Sequence, residues 1–319
     1  MHFSLKKTVS ILLAFILFPV SACSVESKGW ELFPSPPTPR SESTAVNHEG
    51  KIYILGGWTP KGISNKVEAD DPKTGKWSDI PPMPIGLHHT SAVSTNGKLY
   101  VVGGFLTRSL TSDNKIYAFD SATNQWTEQA PIPTARGALA SVVIDGKIYA
   151  VGGVLKQSNR LKNTGANEVY DPKTNQWKKL APLPTPRDHL TVSVADGRLY
   201  AIGGGLKWDI GKKQNINEVY VPKTNQWQVR RPMPTARSGI TSQYVNGKIY
   251  VFGGETHQKA FDTNEAYDPK TNQWYIMPPM PNACHGLGSA VVDGSIHLLT
   301  GSPRAGGGRS KFHQVFTPK

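Results

Sequence analysis

The chain has 319 residues, a formal net charge of +13 and only two cysteines, Cys23 and Cys284, so at most one disulfide can form and none if either thiol is modified. A fold of this length must therefore rest on its own core. The charge favours anionic partners, whether lipid, glycan or nucleic acid, but the basic residues form no block of like sign, which fits a solvated surface equally well.

Residues 1–22 (MHFSLKKTVSILLAFILFPVSA) place Lys6 and Lys7 ahead of an apolar run, the layout of an export signal too short to persist as a membrane span. Their removal leaves a charge of +11. Val20-Ser21-Ala22-Cys23 resembles the bacterial lipoprotein signal, which implies lipidation of Cys23, a tether over 23–29, and a membrane-anchored protein on the periplasmic side of the envelope or at the cell surface. An ordinary signal peptide with a chance cysteine is the alternative. Export makes nucleic acid the least expected anionic partner.

From residue 30 onward the chain repeats. NEVYDPKTNQW (167–177) returns as NEVYVPKTNQW (217–227) and NEAYDPKTNQW (264–274). Tryptophans 30, 77, 126, 177, 227 and 274 share one register, and glycine pairs at 56–57, 103–104, 152–153, 203–204 and 253–254, with Gly301-Ser302, share another. A period near 50 belongs to arrays of one supersecondary unit. In the third unit ALASVVID (138–145) reads as a strand, DGK as a tight hairpin and KIYAVGG (147–153) as a second strand; NEVYD and QWKKL flank the turn PKTN. Pro-rich crossings such as APLPTPR (181–187) lead to the next unit.

Three features carry a family resemblance: a glycine pair after an apolar strand, Tyr and Trp seven apart, and Pro-x-x-Arg before the next unit. The chain resembles kelch proteins, which implies an all-β, six-bladed propeller over 30–319 with four antiparallel strands per blade. Asp70 departs from the tyrosine, and Leu87 and Cys284 from the crossing arginine seen as Arg40, Arg136, Arg187 and Arg237. WELFPS (30–35) reads as a lone outer strand, and KFHQVFTPK stops after a third, so the N-terminal strand is expected to close the last blade.

In such blades the first-to-second and third-to-fourth turns share one face, here nearly identical. The second-to-third loops and the crossings share the other, where the loops vary at 155–166 and 206–216. That face is expected to bind an anionic glycan or a protein partner, through Trp208, Lys212, Lys213, Arg160, Lys162 and His257, with the chain a monomer. Arg136, Arg187 and Arg237 are candidates on the crossings, although the family's arginine there braces neighbouring blades. Trp58, beside a glycine pair, is expected to pack between blades.

Glu42, His89 and His189 hold equivalent crossing positions in blades 1, 2 and 4, with His88, Asp188 and His285 at the neighbouring position of blades 2, 4 and 6. Blades across a channel are expected to lie too far apart to share an ion, so no metal or cofactor is expected. YVFGGETHQ (250–258) is similar to the segment of bacterial sialic-acid mutarotases that carries their acid–base glutamate. That resemblance makes Glu255 the candidate catalytic residue of a sugar mutarotase or epimerase, although Phe261 replaces the family's arginine. A binding module is the first reading, the enzyme the second and a structural envelope protein the third.

Overall fold

The computed structural model describes residues 29–157, 160–206 and 209–319; Cys23 and its preceding segment, and Trp208, lie outside them. No helix among the described residues is long and apolar enough to cross a membrane. The fold is all-β, six sheets of four antiparallel strands arranged as blades. Blade 1 comprises Thr44–His48, Lys51–Leu55, Val67–Asp71 and Lys76–Ile80, from channel to rim. The sixth comprises Gly288–Val292, Ser295–Leu299 and His313–Phe316, completed by Trp30–Leu32, with Trp30 opposite Phe316.

Local sequence explains the meander. Each inner hairpin turns on two residues with positive φ, such as Asp145 (50°) and Gly146 (74°), the geometry whose twist matches that of the flanking strands. The outer turns place Asn175, Asn225 and Asn272 in the left-handed region, which Asn tolerates. The first glycine of the pair is obligatory for a steric reason: a Cβ on Gly253 would lie 2.3 Å from the carbonyl oxygen of Cys284, where the next crossing passes.

Packing repeats as well. Apolar clusters fill the wedges between neighbouring blades, for example Leu55, Val67 and Ala69 of blade 1 against Leu99, Val101 and Phe119 of blade 2. Each large aliphatic side chain fully buried in this way stabilises the fold by about 1.5–3 kcal/mol. Every register tryptophan donates its indole N–H to the preceding crossing: Trp77 to Pro34, Trp126 to Pro81, Trp177 to Ala130, Trp227 to Ala181 and Trp274 to Arg231. Trp30 does the same to Pro278, 3.1 Å away, so the chain's first strand closes the ring with the bond every other blade uses.

Four blades share a buried clasp. Arg40, Arg136, Arg187 and Arg237 have 0% exposure, and each pairs with a third-strand glutamate of its own blade (Glu68, Glu168, Glu218 and Glu265) at 2.5–2.8 Å. Backbone carbonyls, such as those of Gly152 and Ala150 around Arg136, take further guanidinium donors. Blades 2 and 6 lose both partners together. Leu87 and Tyr117 replace the pair in an apolar wedge, and Cys284 accompanies Gln314, whose amide bonds the backbone of Asn282. Arg136, Arg187 and Arg237 are thus internal braces, and their placement on the ligand surface is corrected: their charge is spent on Glu168, Glu218 and Glu265.

Candidate functional site

The two residues after each clasp position build the channel mouth. Six crossings contribute Ser41-Glu42, His88-His89, Gly137-Ala138, Asp188-His189, Ser238-Gly239 and His285-Gly286. The second residue of every pair has φ between 50° and 66°, turning the crossing down into the inner strand. Their backbones form a closed circuit: His89 N–H donates to Glu42 O, Ala138 to His89, His189 to Ala138, Gly239 to His189, Gly286 to Gly239 and Glu42 to Gly286, all at 2.8–3.0 Å. Adjacent blades are therefore one hydrogen bond apart at this level, and the ring residues line a cavity of only about 90 Å³. This narrowing overturns the expectation that opposite blades cannot share an ion: ligand atoms of Glu42, His89 and His189 all lie within 4.8 Å of one another.

Above the ring opens a pocket of about 450 Å³, on the side of the second-to-third loops. Its polar groups are connected. Glu255 sits at the end of a long strand, 8% exposed, with Oε2 accepting the Gly306 N–H at 2.7 Å and lying 3.3 Å from His285 Nε2. Oε1 is 3.8 Å from Lys213 Nζ, which donates to Ser238 Oγ at 2.5 Å. His285 Nδ1 lies 3.4 Å from Glu42 Oε1, and Glu42 Oε2 lies 3.3 Å from His89 Nε2. His189 Nδ1 is 2.5 Å from Asp188 Oδ1, while Asn163 holds the other Asp188 oxygen. The Glu42 side chain fills the space above Gly286, where a Cβ would meet its Oε1 at 2.2 Å.

Burial and neighbours set the protonation of these groups. Burial raises Glu42, but His89, His285 and His189 around it outweigh that and hold it well below the usual carboxylate range. Burial lowers His285, yet its hydrogen bond and attraction to Glu42, with Glu255 beyond, leave it raised. His189 is raised likewise, burial being overcome by Asp188. Burial pushes His89 down to about 3 against the pull of Glu42, and lowers Lys213 despite Glu255 and Asp188. The site thus sets the Glu42 carboxylate, held as an anion, beside the His285 and His189 imidazoles, whose hold on a proton is strengthened, a set able to exchange protons within one cavity.

Phe105, Ala138 and Val154 form a small apolar cluster beside the pocket on the blade 2 and 3 side, outside its lining. The Trp58 ring is half-buried, 4.4 Å from that of His88 and 5.5 Å beneath the Arg108 guanidinium, and it lines the pocket where packing between blades was expected. Arg309 and Gly306–Gly308 complete the rim.

Of the expected binding residues, the structure brings Lys213 and Glu255 into this pocket. Lys212 is exposed and pairs with Asp209 at 3.6 Å; His257 is exposed outside the pocket lining. Arg160 and Lys162 are exposed on a two-stranded ribbon, Val154–Gln157 with Arg160–Asn163, where a loop was expected; Gly205–Leu206 and Asp209–Lys213 form another. Sequence reasoning missed Arg108 and Arg309, for each is a single arginine in an unremarkable loop with no periodic signal.

Fold and mouth together define a closed six-bladed propeller with a concave, charged, small-molecule-sized pocket at its mouth. The family model described as the KLHDC2/KLHL20/DRC7 Kelch-repeats domain matches residues 16–153 and 140–316, and the chain belongs to the kelch-repeat family. Two curated relatives match over short segments: Kelch-like ECH-associated protein 1A of Danio rerio, 54% identical over 41 residues, and Kelch-like protein 1 of Mus musculus, 54% identical over 37. These segments cover 13% and 12% of this chain and only 7% and 5% of those proteins. Among solved structures, that of YjhT superposes with a TM-score of 0.79 at 17% identity, covering 91% of this chain and 98% of that one, a likeness of fold.

Proposed function

We propose that the mouth binds a small acidic sugar and equilibrates its anomers by proton transfer through Glu255. The observation that carries this reading is the linked array Lys213–Glu255–His285–Glu42 in the pocket wall. Opening a cyclic hemiketal requires a base to take the proton of the anomeric hydroxyl while an acid protonates the ring oxygen; Glu255 suits the first role, and Lys213 or His285 the second. Lys213, Arg108 and Arg309 supply positive charge for a sugar carboxylate, and Trp58 a flat apolar face. The similarity of YVFGGETHQ to the mutarotase segment supports the same choice. Arg108 or Arg309 would take the part of the arginine that Phe261 displaces.

The test follows interconversion of N-acetylneuraminate anomers by NMR. The wild-type chain should accelerate it over buffer, and Glu255→Gln should lose about 10²–10⁴ of that acceleration, the usual contribution of a positioned acid–base group. No acceleration by the wild type removes the enzymatic reading; retained calorimetric binding of the same sugar would then leave a binding module. The exposed cations of the ribbons, Lys156, Arg160 and Lys162, fit the further reading of a protein or anionic glycan partner on this face. Anchoring through a lipidated Cys23 completes the proposal: Cys23→Ala should release the protein from washed membranes, and its retention there would point to another anchor.

A further inference from the structure

We propose that Glu42, His89 and His189 form a binding site for one divalent transition-metal ion of the zinc class on the propeller axis. Three ligands come from three blades, and the ring of backbone hydrogen bonds brings them together. Two ligands on a tetrahedral ion with bonds of about 2 Å stand about 3.3 Å apart. Glu42 Oε2 and His89 Nε2 are 3.3 Å apart, and His189 completes the triad within the 4.8 Å limit.

The second independent observation is that each ligand is oriented by its own partner, in the way metal-binding imidazoles and carboxylates are. His88 Nε2 lies 3.1 Å from the Thr107 carbonyl, which can only accept, so this nitrogen carries a proton. In neutral His88 the other nitrogen, Nδ1, is then an acceptor, and the Nδ1 of His89, 2.5 Å away, is its donor. With Nδ1 of His89 thus committed to His88, Nε2 is the nitrogen it turns toward the Glu42 carboxylate. A proton or a metal ion placed between this nitrogen and the carboxylate oxygen would join them, and the 3.3 Å separation is the one two ligands of a tetrahedral ion adopt. His189 has Nδ1 on Asp188, itself held by Asn163, the imidazole–carboxylate pairing that orients metal-binding histidines. His285 approaches the Glu42 oxygen that faces away from His89.

Two nitrogens and one oxygen suit zinc and its first-row neighbours better than magnesium or calcium, which prefer all-oxygen sets. Three protein ligands leave a coordination position open toward the pocket, so a bound ion could also hold a hydroxyl or carboxylate oxygen of a ligand there. The site stands whether or not the pocket acts on sugars.

The full chain, purified without a polyhistidine tag and treated with chelator, is titrated with Zn(II) by calorimetry and with Co(II) by visible absorption. Expected are one equivalent per chain, cobalt d–d bands of a low-coordinate site, and no comparable binding of Mg(II). His89→Gly and His189→Gly should each weaken Zn(II) binding at least tenfold, and Asp188→Asn by about 10–100-fold, the usual effect of an outer partner. Gly239 and Gly286 hold the same ring position, so the glycine variants are compatible with the backbone, and circular dichroism checks their fold. Exposed His257→Ala should leave binding unchanged. Absence of stoichiometric Zn(II) uptake by the wild type, or uptake that survives both glycine substitutions, overturns the site.

Discussion

The clasp and the mouth occupy consecutive residues of the same crossing, yet they obey opposite rules. Arg136 is followed by Gly137 and Ala138, Arg187 by Asp188 and His189, Arg237 by Ser238 and Gly239. At the clasp, a change on one side is matched on the other: where arginine gives way to Leu87, glutamate gives way to Tyr117, and Cys284 goes with Gln314. A buried guanidinium without its carboxylate is an uncompensated charge, so the pair persists or disappears as a unit. At the mouth, the ring is closed by backbone alone, and Glu, His, Ala and Gly all satisfy it. Side chains there are not needed to close the ring, which is what lets the sixfold symmetry break and chemistry collect.

The largest expected effect breaks the clasp on one side. Arg187→Leu leaves Glu218 buried and unpaired and should lower stability by about 3–5 kcal/mol in chemical denaturation. Adding Glu218→Tyr, which reproduces the blade 2 pair, should recover most of the loss. A double variant no more stable than the single one would show that the matched replacements in blades 2 and 6 are incidental.

Asp70 sharpens the contrast from within the shell. It stands where the other blades carry Phe119, Tyr170, Tyr220, Tyr267 and Phe316, fully buried, and neither oxygen has a hydrogen-bond partner among the described residues. Burial, with Asp71 adding, pushes its carboxyl from 3.8 up to about 6. Well below pH 3.8 both folded and unfolded chains hold the proton and no penalty exists. As pH rises toward 6 the unfolded chain ionises first, and stability falls by up to about 3 kcal/mol. Asp70→Asn should match the wild type at about pH 2.5 and exceed it at pH 7; a gap independent of pH would mean the carboxyl is solvated.

The smallest effect on stability is expected at the ring. His189→Gly retains the positive φ and the backbone bonds and leaves Asn163 on Asp188, so removing the buried contact between His189 and Asp188 should lower stability by about 1–2 kcal/mol, less than breaking the clasp. A loss comparable to that of Arg187→Leu would show that the mouth side chains also hold the fold.

Most of the fold was readable because it is built from contacts that recur. Each blade needs the same hairpin, the same glycine beneath the next crossing and the same indole anchor, so the signals appear at one spacing and reinforce one another. Closure by Trp30 could be anticipated for the same reason: it is the sixth copy of an anchor present five times elsewhere. Glu255 was visible through its neighbours, and Lys213 through its place on a variable segment. The equivalence of Glu42, His89 and His189 was visible too, but not their proximity, because nothing local to 42, 89 or 189 encodes the width of the channel. That width follows from six backbone hydrogen bonds that exist only once all blades are in place. The sequence by itself thus determined the blade, its number and its closure, since local periodic contacts leave a periodic trace. Only the tertiary structure decided which residues meet on the axis, since residues drawn singly from distant blades leave none.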